Sequence, residues 1–311
     1  MARQSSVLFK ARDYLHPRYW PMWGVLGMLR LFALFPYPAL VKIGKGLGRG
    51  IKFISGSRQV VINTNLARCF PEMSSAERAR IRDECYGNIG IALVEMAMCW
   101  WWPDEKIKPL VEIVGRENVD KVLQSGQGVI LLAGHFTSLE ISGRLLTQSM
   151  PMQVMYRTQS NELFDSYLYT RRCSYFEHTI SRKNTRQMIK GIKNLIPTWY
   201  APDQDFSREK NVFAPFMGIQ AATITAGSRI AQATGGAMIP FFTKRKEDGS
   251  GYLLTFEPPL ENFPGESDLA DATAINASIE KYARLYPEYY VWIHQRFKTR
   301  PPGEPPFYPP R

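Results

Sequence analysis

From residue 111 onward, short apolar runs alternate with stretches whose apolar residues recur at helical spacing. The runs predict strands near 111–114, 128–133, 152–156, 197–201, 236–242 and 251–257, and a further one at 289–294. The stretches between them predict helices near 117–125, 136–148, 161–175, 184–195, 221–234 and 271–286. This alternation is typical of a sheet whose helices cover both faces. The sequence therefore predicts an α/β fold with a largely parallel, mixed sheet flanked by helices.

Before residue 111 the pattern is helical throughout. Residues 58–70 form a helix-like stretch up to Pro71, and Ser74 or Ser75 can cap a second helix over 75–100. Four glycines alternate with other residues, at Gly44, Gly46, Gly48 and Gly50. They do not form a dinucleotide fingerprint and favour a helix face of small residues that packs closely. Three adjacent tryptophans close the second helix, and they indicate lipid contact, a groove lining or simple packing.

The N-terminal region contains an apolar stretch from Tyr19 to Val41 that Arg30 interrupts. A stretch of this length is enough to span a bilayer. Aromatic residues that suit a membrane interface lie near its ends, at Trp20, Trp23 and Tyr37. We expect a membrane-anchoring helix, which either spans the bilayer or lies in its interface, although a buried helix would have the same pattern. This divides the chain into an anchor region, 1–40, and a catalytic domain, 41–311.

Composition narrows the class of protein. The chain has 311 residues, a formal net charge of +11 and an isoelectric point near 9.5. A basic protein of this kind suits anionic lipid, an acidic protein or an acidic substrate. The cations are scattered and no nucleic-acid motif is present, so no nucleic-acid partner is expected. The four cysteines lack zinc-ligand spacing, and we interpret them as reduced, buried thiols.

The most informative chemistry lies where the apolar run 128–133 ends. His135 follows this run directly, and Glu140 comes five residues later at the start of a predicted helix. A histidine with a carboxylate behind it can take a proton from a hydroxyl near neutral pH. The expectation is that Glu140 reaches back to one imidazole nitrogen of His135, while backbone N–H groups at the helix start hold negative charge. The alternative is a capping histidine beside a surface glutamate.

Other charged side chains follow the later strands. Arg157 comes after the run 153–156 and could clamp a phosphate or carboxylate, or form a surface ion pair. Asp203 and Asp205 follow 198–201 and could orient cations, cap a turn or bind a metal, although nothing in the sequence requires one. The C-terminal segment 294–300 could bind an anionic substrate or an acidic carrier protein, or be a solvated basic face. Its charged candidates are His294, Arg296, Lys298 and Arg300.

Several mechanisms are excluded by missing motifs. The chain has no G-x-S-x-G elbow, no Walker loop, no Rossmann glycine fingerprint and no H-E-x-x-H. What remains is a histidine and a carboxylate that activate a substrate hydroxyl without a covalent enzyme intermediate. An alternative of another class is a non-catalytic membrane-binding protein, and hydrolysis of acyl thioesters could be a side activity.

Several motifs carry a family resemblance. His135 and Glu140 form H-x4-E, the first block of glycerolipid-type acyltransferases, and Arg157, residues 201–205 and residues 239–240 are similar to the later blocks in order. Three further strings narrow the match: LHPRYW at 15–20, NLARCFPEMS at 65–74 and WIHQRFKTRP at 292–301. Together they closely resemble the late acyltransferases of bacterial lipid A biosynthesis, of the lauroyl or palmitoleoyl type. One departure is Gln295, where the family pattern leads us to expect a basic residue.

The resemblance implies an enzyme on the cytoplasmic face of the inner membrane. It would move a fatty acyl chain from acyl carrier protein to the hydroxyl of a 3-hydroxyacyl chain on a Kdo-bearing tetraacyl lipid A precursor. It implies His135 as the base, Glu140 as its partner, and no cofactor besides the carrier-bound acyl group. Alternatives within the class are myristoyl-type transfer to a pentaacyl precursor and acylation of a lysophospholipid.

Overall fold

The computed structural model describes residues 8–206 and 210–310. Its centre is a seven-stranded sheet, and a separate two-stranded hairpin packs beside it. The strands are β1 (Val111–Val114), β2 (Val129–Leu132), β3 (Gln153–Tyr156), β4 (His178–Ser181), β5 (Thr198–Tyr200), β6 (Asn211–Phe216), β7 (Ile219–Ile224), β8 (Ala237–Arg245) and β9 (Tyr252–Phe256). In the sheet they lie in the order β1-β9-β8-β2-β5-β3-β4, and only the β8–β9 pair is antiparallel. The predicted α/β fold with a largely parallel, mixed sheet is confirmed.

Helices cover both faces of this sheet. They are α1 (Trp20–Phe32), α2 (Tyr37–Ile54), α3 (Gly56–Cys69), α4 (Ser75–Trp101), α5 (Asp104–Ile107), α6 (Arg116–Gln124), α7 (Leu139–Leu146), α8 (Glu162–Cys173), α9 (Thr185–Lys193), α10 (Ala226–Thr234) and α11 (Asp268–Leu285). All four residues of β2 are buried, and they alternate between two cores. Val129 and Leu131 face the core that includes α1 and α4, whereas Ile130 and Leu132 face the core that includes α9 and α11.

The predictions fail in four places. Residues 219–224, predicted as the start of a helix, form β7 of the hairpin with β6. Met217 and Gly218 both have positive φ, as a two-residue type I′ hairpin turn requires. The alanines of β7 favour a helix, which explains the wrong prediction. The predicted strand at 289–294 is also wrong, because Tyr290 makes only a single bridge to Phe136. In addition, the edge strand β4 and the first hairpin strand, β6, were not predicted.

The predicted N-terminal helix is divided in two. The α1 helix ends at Phe32, and α2 begins at Tyr37, after Pro36. Within residues 8–206 and 210–310, the helices are too short or too polar to cross a bilayer. Leu26 and Leu29 on α1 are buried in the same core as the sheet. The spanning form of the predicted anchor is therefore not supported, and the first seven residues of the predicted anchor region lie outside the described chain.

Glycines set how closely α2 approaches α4. A Cβ atom on Gly48 would lie 2.0 Å from the carbonyl oxygen of Tyr86, and one on Gly90 would lie 2.0 Å from that of Gly44. Gly46 and Gly50, by contrast, have open space around the Cβ position. The prediction of a closely packed small-residue helix face is confirmed for Gly44 and Gly48. This contact fixes the α4 helix, against which the C-terminal segment and α7 then pack.

Candidate active site

His135 lies just beyond the carboxyl end of β2, the central strand of the sheet. Its neighbour β5 runs parallel to β2, with Leu132 opposite Tyr200. The backbone N–H of Ala133 donates to the carbonyl oxygen of Tyr200 at 2.9 Å, which extends the pairing past the strand. Because both strands end at the same edge, the residues that follow β5 are brought next to His135.

Asp203 binds His135 through both carboxylate oxygens. Oδ2 accepts from the backbone N–H of His135 at 2.8 Å, and Oδ1 lies 2.6 Å from its ring Nδ1. The Asp203 side chain is 1% exposed, whereas that of His135 is 28% exposed. A carboxylate at Nδ1 holds a proton on that nitrogen, so Nε2 of the neutral ring is free to accept one. The arrangement is that of an oriented general base.

The electrostatics of the pair favour its charged form. Burial by itself lowers the pKa of His135, but the adjacent Asp203 charge and hydrogen bond outweigh it and raise the pKa above its usual value. Burial raises the pKa of Asp203, and His135 more than offsets this, so that the pKa falls to about 2. Asp203 therefore stays ionised and would stabilise an imidazolium formed during a reaction.

Glu140 does not make the predicted contact with His135. Its carboxylate lies in the first turn of α7 and binds the end of α8 and the residues just after it. Nε of Arg172 donates to Oε1 at 3.1 Å, Nη2 of Arg172 donates to Oε2, and the hydroxyl of Tyr175, which follows α8, donates to Oε1 at 2.9 Å. The side chains of Glu140 and Arg172 are each only 15% exposed. A carboxylate buried this far needs a cation, and Arg172 supplies it. Burial raises the pKa of Glu140, but Arg172 reverses the effect and the pKa is lowered.

Asp205 holds the C-terminal segment rather than a cation. Its carboxylate accepts from the backbone N–H of Thr299 at 2.6 Å and from the Thr299 hydroxyl at 3.0 Å. Its own backbone N–H donates to Nε2 of His294 at 3.0 Å. Burial lowers the pKa of His294 to about 4. His294 is thus uncharged at neutral pH, which corrects its predicted use as a cation for an anionic group.

The remaining cations of segment 294–300 have different surroundings. Arg296 is 2% exposed and donates to the carbonyl oxygen of Ala222 and, at 2.9 Å, to the hydroxyl of Thr223. Arg300 donates to the carbonyl oxygen of Gln220 and pairs with Glu304. Lys298 is exposed. The predicted basic face is wrong for Arg296, which is drawn into the core because the segment also buries Trp292 and Phe297.

Arg157 lies at the same sheet edge but at a distance from His135. It follows β3, and its side chain is exposed. Because β5 separates β3 from β2, the two strand ends are about 10 Å apart. Arg157 thus lies one strand beyond the residues that bind His135.

The structure adds three residues that the sequence reasoning missed. Arg172 and Tyr175 hold Glu140, and Tyr290 is buried near Asp203, so that burial and then the Asp203 charge raise the pKa of its hydroxyl. The three-residue spacing of Arg172 and Tyr175 on a predicted helix was a signal that they share a face. Nothing near Tyr290 in the sequence indicates its partner, which precedes it by 87 residues.

No group of three or more histidine, cysteine, aspartate or glutamate side chains that could hold a metal ion occurs within the described ranges, 8–206 and 210–310. Asp203 and Asp205, the pair for which a metal remained open, are bound to His135 and Thr299.

The three tryptophans at the end of α4 line a groove, which was one of their predicted uses. Trp100, Trp101 and Trp102 border a cavity of about 410 Å³ between α4, α7 and α8. Tyr175, which binds Glu140, lines the same cavity. The cavity therefore lies beside the helix that begins after His135.

Comparison with known proteins is consistent with this geometry. Residues 9–299 match the protein family described as bacterial lipid A biosynthesis acyltransferase. The lipid A biosynthesis palmitoleoyltransferase of Escherichia coli K12 is 36% identical over 299 residues, which cover 96% of this chain and 97% of that protein. The lauroyltransferase of the same organism is 36% identical over 293 residues, covering 94% and 95% of the two chains. Its myristoyltransferase is 31% identical over 301 residues, covering 94% and 91%.

Proposed function

Because this chain belongs to the bacterial lipid A biosynthesis acyltransferases it is an acyltransferase, and we propose that it acylates a Kdo-bearing tetraacyl lipid A precursor. The donor is a fatty acyl thioester of acyl carrier protein. The acceptor is the hydroxyl of a 3-hydroxyacyl chain, and the product is an acyloxyacyl group. No cofactor takes part besides the carrier-bound acyl group.

The observation that supports this reaction most strongly is the His135–Asp203 pair. Asp203 holds the Nδ1 proton, so Nε2 removes the proton of the acceptor hydroxyl as its oxygen attacks the thioester carbonyl. The tetrahedral intermediate then expels the carrier thiolate, and the C–S bond breaks as the new C–O ester bond remains. The imidazolium returns its proton to the sulfur, and the enzyme is regenerated.

Negative charge develops on the carbonyl oxygen during attack. We assign its stabilisation to backbone N–H groups at the start of α7, which begins four residues after His135. Arg157, exposed at the same sheet edge, binds an anionic group of the lipid acceptor. The acceptor carries phosphates and carboxylates, which suits a chain of net charge +11.

Glu140 acts in this proposal as a positioning residue. Its ion pair with Arg172 and its bond to Tyr175 fasten the first turn of α7 to α8. The turn that carries His135 leads directly into that helix. Loss of Glu140 would therefore loosen the histidine without removing a group that touches the reacting atoms.

The acyl chain is proposed to be lauroyl or palmitoleoyl. The identity is 36% to the palmitoleoyltransferase and to the lauroyltransferase, and 31% to the myristoyltransferase. This difference supports transfer to the tetraacyl precursor over the myristoyl-type step on a pentaacyl precursor.

We further propose that the N-terminal region lies in the interface of the inner membrane, with the catalytic domain on its cytoplasmic face. The outer side of α1 and the turn after it expose large apolar side chains: Trp20, Val25, Met28, Leu31, Leu34 and Phe35. Exposed cations follow on α2, at Lys42, Lys45 and Arg49. An apolar face with a basic rim suits the headgroup region of an anionic membrane.

The test supplies purified enzyme in detergent with acyl carrier proteins that bear lauroyl, myristoyl, palmitoyl and palmitoleoyl chains. Tetraacyl precursors with and without Kdo, a pentaacyl precursor and a lysophospholipid compete as acceptors. Mass spectrometry should show one lauroyl or palmitoleoyl chain added to the Kdo-bearing tetraacyl precursor. Addition of a myristoyl chain to the pentaacyl precursor alone, or acylation of the lysophospholipid alone, would contradict the proposal.

A further inference from the structure

One stretch that passes the active-site edge of the sheet carries positive charge alone. Between Glu177 and Asp203 the sequence contains no acidic residue. It contains five cations, all exposed: Arg182, Lys183, Arg186, Lys190 and Lys193. Within residues 8–206 and 210–310, none of these five forms an ion pair with a carboxylate. We call these five residues the β4–α9 basic surface.

The fold arranges this surface around the edge strand β4. Arg182 and Lys183 follow β4 directly, at the edge where His135 lies, and the other three cations occupy α9. The inner side of α9 is buried through Met188, Gly191 and Ile192, so the cations at i, i+4 and i+7 share its outer side. In the sheet, β4 is three strands from β2, which places the surface about 14 Å from the strand that precedes His135.

We propose that the β4–α9 basic surface is where the acyl carrier protein docks to deliver its acyl chain. The inference rests on the proposed function, in which an acidic carrier protein is the donor. An acidic partner complements five unpaired cations and no acid, and complementary charge steers such encounters. A carrier that docks beside the active-site edge can present a flexible thioester arm to His135.

The charge pattern favours a protein over a membrane as the occupant. The exposed side of α9 has no large apolar side chain to insert between lipids. The exposed apolar residues of α1 belong to the other side of the molecule, because Leu29 packs in one core and Ile192 packs in the core across the sheet. The donor would thus approach from the side of the sheet opposite the lipid-binding region.

Segment 294–300, which the sequence indicated as a possible binding site for the carrier protein, does not fit this role. Arg296 is buried and Arg300 is paired with Glu304, so that segment does not present a cluster of free cations. The β4–α9 basic surface does, and its first residues, Arg182 and Lys183, follow β4 at the edge of the sheet where His135 lies.

The experiment compares two donors that share one thioester. Initial rates are measured with lauroyl acyl carrier protein and with lauroyl-pantetheine, which lacks the acidic protein. The variant Arg186→Gln/Lys190→Gln removes two cations of the docking surface. The control variant, Lys108→Gln/Lys121→Gln, removes two exposed cations near β1, which is the outermost strand on the side of the sheet away from β4.

We expect the docking variant to raise KM for the carrier-bound donor about three- to thirtyfold at low ionic strength. The difference should shrink near 0.5 M salt, because exposed charges are then screened. KM for lauroyl-pantetheine and kcat should stay at the wild-type value, and the control variant should match wild type with both donors.

Three outcomes would overturn the inference. An unchanged KM for the carrier-bound donor excludes docking at this surface. An unchanged KM with weaker sedimentation on phosphatidylglycerol vesicles reassigns the surface to the membrane. If wild-type enzyme transfers nothing from the carrier-bound donor but does transfer from lauroyl-pantetheine, the proposed donor itself is wrong, and the docking surface falls with it.

Discussion

Replacing Asp203 with asparagine tests the geometry of the base most sharply. The two N–H groups of His135 bind different oxygens of Asp203, and an asparagine side chain replaces one of these two oxygens with an NH₂ group, so one of the two acceptor positions is lost. If the oxygen keeps the backbone bond, the NH₂ group faces Nδ1. The imidazole proton then moves to Nε2, which can no longer accept a proton from the acceptor hydroxyl.

The expected loss in kcat is about 10²–10⁴-fold, as for other catalytic histidines that lose their orienting carboxylate. This corresponds to about 3–5 kcal/mol of transition-state stabilisation. The pH profile should also change. Wild-type kcat/KM should fall as the pH drops through a His135 pKa that Asp203 holds above its usual value. In Asp203→Asn only the effect of burial remains, so the pKa of His135 falls and the acid limb moves to lower pH.

Steady-state transfer assays between pH 5 and 9 would measure both effects. Asp83→Asn, the same chemical change in an exposed pair with Lys52, serves as the control and should leave the profile unchanged. Thermal melts would confirm that Asp203→Asn is folded. A folded Asp203→Asn enzyme with kcat within about threefold of wild type and an unmoved acid limb would refute the role given to Asp203.

Four other results are expected. Gly48→Ala should destabilise the protein by about 1–3 kcal/mol, because its methyl group would lie 2.0 Å from the Tyr86 carbonyl oxygen. The control Gly46→Ala places its methyl group in open space and should be neutral or stabilising. Equal shifts in melting temperature would contradict the close α2–α4 contact. Arg172→Met should lower the free energy of unfolding in urea by about 3–5 kcal/mol, because the Glu140 carboxylate stays buried without its cation. Adding Glu140→Gln to this variant should restore part of the lost stability. If the effects of the two substitutions simply add, the ion pair does not contribute as described. The stability that Asp203 contributes is present above pH 3.8 and is lost as the pH falls toward about 2. In urea titrations across this window, the free energy of unfolding of wild type should fall by about 2 kcal/mol more than that of Asp203→Asn. Parallel pH profiles of the two proteins would contradict this contribution. The triple variant Leu31→Ser/Leu34→Ser/Phe35→Ser should weaken binding to phosphatidylglycerol vesicles, measured by sedimentation, at least about tenfold. The control variant Leu195→Ser/Leu269→Ser/Leu285→Ser, which replaces exposed leucines elsewhere, should bind the vesicles as wild type does. Equal losses of binding in the two variants would refute an interfacial α1.

The architecture could be predicted from the sequence because most strands have a distinctly apolar composition. The run that forms β2 is wholly apolar, as expected for a strand buried on both faces, and His135 breaks it abruptly. The hairpin at 211–224 escaped prediction because alanines in β7 resemble a helix. Its turn depends on a positive φ at Met217, and methionine is not a residue type that indicates a positive φ in a sequence.

The site was predicted as a set of residues but not as a set of contacts. Local spacing suggested Glu140 as the partner of His135, since the two are only five residues apart. The actual partner, Asp203, is 68 residues away, and it is adjacent only because β5 inserts between β2 and β3. Strand order in a parallel sheet depends on how the crossover helices pack, so a single sequence indicates which residues reach the edge without indicating which of them meet.

The burial of charged residues was the other feature beyond the reach of the sequence. Arg296 and Lys298 lie two residues apart in the same basic segment, yet the first is buried and the second is exposed. What separates them is the burial of Phe297 and Trp292, which draws the segment inward until the guanidinium meets the oxygens of Ala222 and Thr223. A buried cation is tolerated there because these oxygens are in place to accept its hydrogen bonds.

The central claim is that His135 removes the acceptor proton in an acyl transfer to a lipid A precursor. It is tested most directly by single-turnover transfer from lauroyl acyl carrier protein to the Kdo-bearing tetraacyl precursor, with wild-type and His135→Ala enzymes compared by mass spectrometry. The account predicts one added acyl chain with wild type and a rate about 10²–10⁴-fold lower with the variant, while precursor binding is retained. A folded His135→Ala enzyme that forms the same product at nearly the wild-type rate would contradict it.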